Sequence, residues 1–187
     1  MRILILNGSI HGAAGNSGLI VRRLRKTHSD VQWDLVNLKS SSYGKGLLAK
    51  LKKADAVLIL TGTYWDSWGS PLQRFLEEAT VLEADASVVG KPVGACVLMH
   101  SVGGKEVLSR LQGVLSTMGF LIPPMSGMAY SLSGQLSVAH RNKHAQDFWL
   151  LEDLDIIVKN LKIASEKKFN WQSWAVDRKN FRENWVR

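Results

Sequence analysis

The chain has 187 residues, of which 45% are apolar and 21% are charged, and these values are typical of a globular protein with about one domain. They exclude a wholly disordered chain and a collagen-like repeat. With 24 Lys and Arg against 16 Asp and Glu, the formal net charge is +8. Such a surface attracts phosphates, nucleic acid or anionic membranes without selecting among them.

The cysteine content and the N-terminal segment both favour a cytoplasmic location. Cys96 is the single cysteine, so neither an internal disulfide nor a cysteine-based zinc site can form. The apolar run at 3–6 is too short for a signal-peptide core, and no apolar span reaches the ~18 residues that a membrane helix needs. We therefore expect a cytoplasmic protein without a membrane span.

Apolar runs alternate with segments of helical periodicity along residues 1–164. Strands are predicted at 3–6, 31–38, 56–60, 92–99 and, as the start of a fifth strand, 120–122. Helices are predicted from Asn16 or Ser17 with a polar N-cap, around 47–51, from Pro71 to Ala79, at 107–118 and at 145–164. Because apolar strands that alternate with helices must be covered on both faces, the pattern predicts a doubly wound α/β fold with a parallel sheet.

The C-terminal segment 165–187 differs from the rest of the chain, and we assign it as an extension of the domain formed by residues 1–164. It is basic, has no strand pattern and contains three tryptophans, Trp171, Trp174 and Trp185. Such large apolar groups favour burial against the body or against a second subunit. We expect the extension to dock across the interface of a homodimer or a higher homo-oligomer.

The loop after the first strand has the composition of an anion-binding site. Its residues 8–17 are rich in glycine and alanine and lead directly into a helix N-terminus, where backbone N–H groups converge. The loop lacks the Gly-Lys-Ser/Thr ending of nucleoside triphosphate loops and the G-x-G-x-x-G spacing of dinucleotide sites. A monophosphate therefore fits it best, although such a loop can also be only a tight connection.

Three loops carry distinctive motifs. The first is Leu-Asn-Gly-Ser at 6–9 followed by Gly-Asn-Ser at 15–17. The second comprises residues 61–67 and the helix start Pro-Leu-Gln-Arg-Phe-Leu at 71–76, and the third is the glycine-rich turn at 100–105. Together these motifs resemble the NADPH-dependent FMN reductase family of flavodoxin-like proteins, whose Thr-Pro-x-Tyr and Pro-Leu-Lys-x-Phe segments are similar to the second motif. The resemblance implies a five-stranded sheet in the order 2-1-3-4-5.

The resemblance also implies that FMN is bound noncovalently, with its phosphate in the first loop and its ring between the second and third loops. The implied cofactor-binding residues are Ser9, His11, Gly15, Asn16, Ser17, Tyr64, Trp65, Asp66, Ser67, Ser101, Val102, Gly103 and Gly104. Two departures stand out: His11 lies where many members have arginine, in a loop about one residue longer, and Gly62 replaces a frequent proline. No acid–base residue is assigned, because hydride chemistry belongs to the flavin.

Several side chains keep two interpretations at this stage. His100 and Lys105 either contact the cofactor region or serve as a structural donor and a solvated cation, and Cys96 is interpreted as core packing. Trp65 and Trp68 either wall the cofactor or pack in a dimer. A metal pair at His140, His144 and Asp147 is not favoured, because no further ligand stands at a recognisable spacing.

The implied function is an FMN-dependent oxidoreductase that uses NAD(P)H to reduce flavin, quinone or a similar small aromatic acceptor. One alternative is a flavodoxin-like electron carrier, although such carriers are usually acidic and this chain is basic. Another is a non-catalytic FMN-binding or regulatory protein. No nucleic-acid-binding module is recognised in the sequence.

Overall fold

The computed structural model describes residues 1–41, 43–139, 148–167, 169–177 and 186. Its strands are β1 (Arg2–Asn7), β2 (Gln32–Asn37), β3 (Ala56–Tyr64), β4 (Ser67–Trp68), β5 (Val93–Met99) and β6 (Gly127–Ser131). Its α-helices are α1 (Asn16–Thr27), α2 (Lys45–Lys53), α3 (Ser70–Glu78), α4 (Gly104–Met118), α5 (Leu132–Ala139) and α6 (Asp153–Glu166). None of the helices in these ranges is long and apolar enough to cross a membrane.

The sheet has the order β2-β1-β3-β5-β6 with all neighbouring pairs parallel, and the short β4 pairs antiparallel with the end of β3. The predicted flavodoxin-like order of five parallel strands is confirmed. All five strands end at the same edge of the sheet, which we call the carboxyl edge, and begin at the amino edge. Ligands of open α/β sheets bind beyond the carboxyl edge.

Alternating residues of β1 enter two separate apolar cores, as the period of a strand requires. Leu4 and Leu6 pack with α2, α3 and α4 on one face, while Ile3 and Ile5 pack with α1 and α6 on the other. All four side chains are fully or almost fully buried. Each contributes about 1.5–3 kcal/mol of burial free energy, so the strand that leads into the first loop is held rigidly from both sides.

The structure corrects the position of the fifth strand. Leu121 forms only an isolated parallel bridge with Pro92, and the strand itself is β6, which begins at Gly127. Pro123 and Pro124 explain the shift, because a proline has no N–H group to donate to the ladder.

Two helical predictions also change. The last helix begins at Asp153 rather than 145, and residues 140–147 lie outside the described part of the chain. Helix α5, which was not predicted, begins directly after β6; the hydroxyl of Ser131 accepts a bond from the N–H of Gly134. Its serines and glycine interrupt the apolar periodicity that would have revealed it.

The described part of the C-terminal extension lies against the chain's own amino edge. The indole of Trp171 covers Gly90, which has a φ of +73° and no side chain to obstruct it. The Nε1 of Trp174 donates to Glu83 at 3.0 Å. Both indoles remain at least half exposed, and docking across a dimer interface stays a prediction, as does the placement of Trp185, which lies outside the described residues.

Candidate functional site

The first loop is organised by a buried asparagine at the end of β1. Asn7 is fully buried; its amide nitrogen donates to Asn37 Oδ1 at 2.9 Å and its oxygen accepts from the N–H of Ser9 at 3.2 Å. The hydroxyl of Ser9 then accepts from the N–H of His11. These bonds fold the chain back over the strand end, so that the loop closes into a compact turn before α1.

Two glycines, one in this loop and one in the first turn of α1, occupy positions that disfavour a side chain. Gly12 has a φ of +55°, a left-handed conformation that L-residues with a Cβ rarely adopt. A Cβ on Gly18 would overlap with the carbonyl oxygen of Ala13, because the first turn of α1 packs directly on the 3₁₀ turn formed by Gly12–Ala14. The glycines therefore bring the backbone of the loop against the helix N-terminus.

The N-terminus of α1 faces this loop without a capping side chain, which corrects the predicted polar N-cap. Gly15 is the N-cap residue, and the Ser17 hydroxyl donates instead to the carbonyl of Gly12 at 3.2 Å. A helix leaves its first N–H groups without helical partners, and here no side chain occupies that capping position. The first turn contains no acidic residue. The helix end is thus suited to an anion.

Strand β3 continues into a two-residue hairpin where the sequence predicted a loop over 61–70. Tyr64 pairs with Ser67 and Thr63 with Trp68, so Trp65 and Asp66 form the turn. Both turn residues have positive φ, +48° and +55°, as a type I′ hairpin requires. The indole of Trp65 is completely exposed.

The third loop approaches this hairpin at Gly103. Gly103 has a φ of +85° and caps α4, and a Cβ at this position would overlap with the carboxylate of Asp66 and lie 3.3 Å from Thr63 Cγ2. The Thr63 hydroxyl is buried and has no hydrogen-bond partner among the described residues. A buried hydroxyl without a partner is costly, so it marks a place where a polar ligand atom would be stabilised.

The first and second loops also meet. A Cβ on Gly69 would lie 2.7 Å from the carbonyl oxygen of Gly8 and 3.4 Å from Ile10 Cγ2. The N–H of Gly69 donates to the hydroxyl of Thr61 at 3.1 Å, and this bond fixes the end of β4 against β3. The three predicted loops therefore form one continuous surface at the carboxyl edge.

Helix α4 holds the hairpin through Arg110. The guanidinium donates to the carbonyl oxygen of Asp66 at 2.9 Å and stacks 5.2 Å from the ring centre of Trp68. Trp68 in turn donates its Nε1 to Gln73 at 2.8 Å. Because Gly103 of the third loop is the N-cap residue of α4, the same helix sets the position of both the second and the third loop.

The structure separates the predicted site residues into buried and exposed groups. Ser9 and Ser17 are buried within the first loop, whereas His11 and Asn16 are exposed at its rim. The remaining predicted residues of the first and third loops are Gly15, Ser101, Val102, Gly103 and Gly104, of which Ser101 and Val102 are exposed. The Gly104 N–H points to the sulfur of Met99 at 3.2 Å.

The side chains with two interpretations fall into distinct environments. The His100 ring is exposed, and its carbonyl accepts from the N–H of Ser133. Lys105 lies 5.4 Å from the ring centre of Trp149. Burial raises the pKa of the Cys96 thiol to about 12, which makes it unreactive. His140, His144 and Asp147 lie outside the described residues, and the rest of the described chain contains no cluster suited to a metal ion.

Asn7, Thr63 and Arg110 were not among the residues assigned to this site from the sequence, although Asn7 and Thr63 lie within the motifs of the first and second loops. The available signal for Asn7 was its position, because it is a polar residue at the end of an apolar strand. Arg110 is 44 residues away from its partner Asp66 along the chain, so only the packing of α4 beside β3 reveals it.

Residues 1–135 match the sequence profile of a family described as NADPH-dependent FMN reductase. The chain belongs to this family. The match includes all three loops, so the chain is a flavin-dependent oxidoreductase with an FMN site. No curated protein matches the sequence significantly.

Solved structures share the fold at low sequence identity. RosB with a bound riboflavin-phosphate intermediate aligns over 100% of this chain and 95% of its own, with 15% identity and a TM-score of 0.61. A WrbA-like flavodoxin from Agrobacterium tumefaciens aligns over 89% and 98%, with 13% identity and a TM-score of 0.64. FerB, an NAD(P)H:acceptor oxidoreductase from Paracoccus denitrificans, aligns over 87% and 98%, with 17% identity and a TM-score of 0.62. These likenesses concern the fold.

Proposed function

We propose that the protein uses NAD(P)H to reduce a small aromatic acceptor, such as a quinone or a free flavin, through FMN bound at the carboxyl edge. In the net reaction with a quinone, NAD(P)H and one proton yield NAD(P)⁺ and the hydroquinone. Bound FMN supplies the hydride-accepting and electron-donating chemistry of this exchange. The protein supplies the binding, orientation and electrostatic field.

The first loop and the N-terminus of α1 are proposed to bind the phosphate. The residues are Ser9, His11, Gly15, Asn16 and Ser17, which surround an uncapped helix end with no acidic residue in its first turn. A dianionic phosphate would be stabilised both by hydrogen bonds from the N–H groups and by the helix dipole. Gly12 and Gly18 make this approach possible through their backbone geometry. This open helix end is the single observation that carries the proposal.

The second and third loops are proposed to hold the isoalloxazine ring. The residues assigned to this role are Tyr64, Trp65, Asp66 and Ser67, which would contribute mostly through their backbone groups, together with Ser101, Val102, Gly103 and Gly104. The unpartnered hydroxyl of Thr63 lies between them and offers one hydrogen bond to a polar ring edge. Backbone groups at this edge would stabilise the negative charge that a flavin gains on reduction, so no side chain needs to act as an acid or base.

A homodimer or higher homo-oligomer and a cytoplasmic location are parts of the same proposal. The half-exposed Trp171 and Trp174 supply apolar surface for a second subunit. The reductant is a soluble nucleotide of the cytoplasm, and the buried thiol of Cys96 requires no oxidising compartment.

An anaerobic reductive titration tests the function. The protein saturated with FMN is mixed with NADPH or NADH under argon while the flavin absorbance is followed, and acceptors are then screened by their return of the oxidised spectrum. We expect bleaching by at least one nucleotide and reoxidation by a quinone. A yellow protein that is not bleached would support an electron carrier, and a chain that takes up no FMN would contradict the proposal.

A further inference from the structure

The hairpin at the carboxyl edge presents one aromatic side chain that nothing in the described structure covers. Of the three aromatic residues in this segment, Tyr64 lies across Gly62 and Gly69, and Trp68 is engaged by Arg110 and Gln73. Trp65 is 100% exposed. Its indole is therefore the aromatic surface of the hairpin that is free to contact a bound molecule.

The backbone at Trp65 is also in an unfavourable conformation. Its φ of +48° places a bulky residue at the first central position of a type I′ turn, where Asn and Gly are favoured. Left-handed backbone in a bulky residue is uncommon, and such outliers concentrate at functional sites. Residue 65 thus combines a strained backbone with a fully exposed indole. An asparagine at this position would relieve the strain and would expose no apolar ring.

The hairpin is fixed rather than loose, so the indole has a defined place. Arg110 bonds the carbonyl of Asp66, the second central residue of the turn, and the Asp66 carboxylate lies against Gly103. These contacts attach the turn to α4 and to the third loop. A side chain carried by such a turn forms a stacking surface with little loss of entropy on binding.

We propose that the Trp65 indole is the outer wall of the acceptor site and that it stacks on planar aromatic acceptors. This inference rests on the proposed function, and it assigns the indole to the acceptor rather than to the FMN ring. Offset stacking of an aromatic pair favours quinones and free flavins over acceptors that have no flat apolar face. The residue would therefore determine which acceptors bind well, while the flavin chemistry is unchanged.

The test compares a stacking acceptor with a non-stacking one in the FMN-loaded protein. Menadione is planar and aromatic, whereas ferricyanide takes electrons without stacking. In Trp65→Asn we expect the KM for menadione to rise about three- to tenfold, with kcat and the KM for ferricyanide changed less than about twofold. Because asparagine suits the turn, the melting temperature should rise by roughly 2–4 °C.

Two further variants make the result specific. Trp65→Phe keeps a ring and should restore most of the menadione KM, and Trp174→Asn removes a tryptophan at the amino edge and should change neither KM. An unchanged menadione KM in Trp65→Asn would overturn the proposal. A loss of FMN affinity in that variant would also overturn it, because the indole would then stack on the cofactor. Failure of the proposed function itself would be distinct, since the unaltered protein would then not oxidise NAD(P)H at all.

Discussion

At the amino edge of the sheet, side chains of the same chain bind a helix end and a turn, whereas at the carboxyl edge the α1 N-terminus is left without such a side chain. Lys91 donates to the last carbonyls of α2, and Asp85 accepts from both the N–H and the hydroxyl of Ser87. At the other edge the α1 N-terminus has no cap and the Thr63 hydroxyl has no described partner. Apart from the buried Ser126 hydroxyl, which also has no described partner, the amino edge thus closes its helix ends and turns with the chain's own side chains, and the carboxyl edge leaves a helix N-terminus available to ligands.

This difference predicts that substitutions at the two edges affect different properties. Changes at the carboxyl edge should alter FMN affinity or acceptor preference more than stability. Changes at the amino edge should alter stability and leave FMN affinity unchanged.

The largest effect is expected from Gly18→Ala. A methyl group there overlaps with the Ala13 carbonyl and pushes the first loop away from the helix N-terminus. We expect FMN affinity to fall by about 100-fold, which equals ~2.8 kcal/mol at 1.4 kcal/mol per tenfold. The measurement is a titration of the apoprotein followed by flavin fluorescence.

The matched control for this variant is Gly113→Ala. Gly113 also lies in a helix, but a Cβ there meets nothing within 4 Å. Alanine should stabilise α4 by about 0.5–1 kcal/mol and leave FMN affinity unchanged. Equal FMN affinities in the two variants would contradict the assignment of the first loop to the phosphate.

The next largest effect is expected from Lys91→Met at the amino edge, where the substitution should lower stability. The Lys91 ammonium donates to the carbonyls of Leu51 and Ala54, and burial lowers its pKa. Methionine fills the same space without a donor and leaves two helix-end carbonyls unsatisfied. We expect a loss of about 1.5–3 kcal/mol in unfolding free energy, measured by denaturant titration. FMN affinity should not change, and the exposed Lys50→Met should have little effect on either quantity.

A smaller effect is expected between α1 and α6 at Asp155. Its carboxylate binds Arg23 through two bonds of 2.9 and 3.2 Å and lies 2.9 Å from His28 Nε2. The bonds to Arg23 hold the pKa of Asp155 below its usual value. Because the pair is partly solvated, Asp155→Asn should cost only about 0.5–1 kcal/mol at neutral pH.

The sign of the pH dependence follows from that lowered pKa. The unfolded chain takes up the proton first, near the ordinary aspartate value of ~3.9, so the contribution is complete above that pH. It should disappear as the pH falls further through the folded-state pKa. Unfolding free energies of the two proteins should converge in acid; a constant difference would contradict the ion-pair explanation. Asp30→Asn serves as the comparison: Asp30 also forms an ion pair, with Lys162, but its side chain is 68% exposed, so the loss of unfolding free energy should be smaller than in Asp155→Asn.

The central strands β1, β3 and β5 were predictable because most of their residues are buried and they form continuous apolar runs, and the order of the sheet was implied by the family resemblance. The hairpin was not predictable, since neither Trp65 nor Asp66 signals a two-residue turn in the way that Asn-Gly does. The bond from Arg110 was equally inaccessible, because it depends on how α4 packs beside β3. The residue types of the three loops could be read from the sequence. The long-range packing of Arg110 and the strained backbone of the turn could not.

The smallest effect on the flavin site is expected from deletion of residues 168–187. The described part of this segment lies on Gly90 and Glu83 at the amino edge, so its removal should change FMN affinity less than about twofold. The deletion also exposes the surface under Trp171 and should lower the melting temperature by a few degrees, since each ~1 kcal/mol corresponds to about 2–4 °C in a chain of this size.

Sedimentation of the same variant tests the predicted dimer contact: a smaller assembly with unchanged FMN affinity would assign the extension to oligomerisation alone. A large loss of FMN would contradict the separation of the two edges, because the extension would then contribute to the cofactor site of a neighbouring subunit.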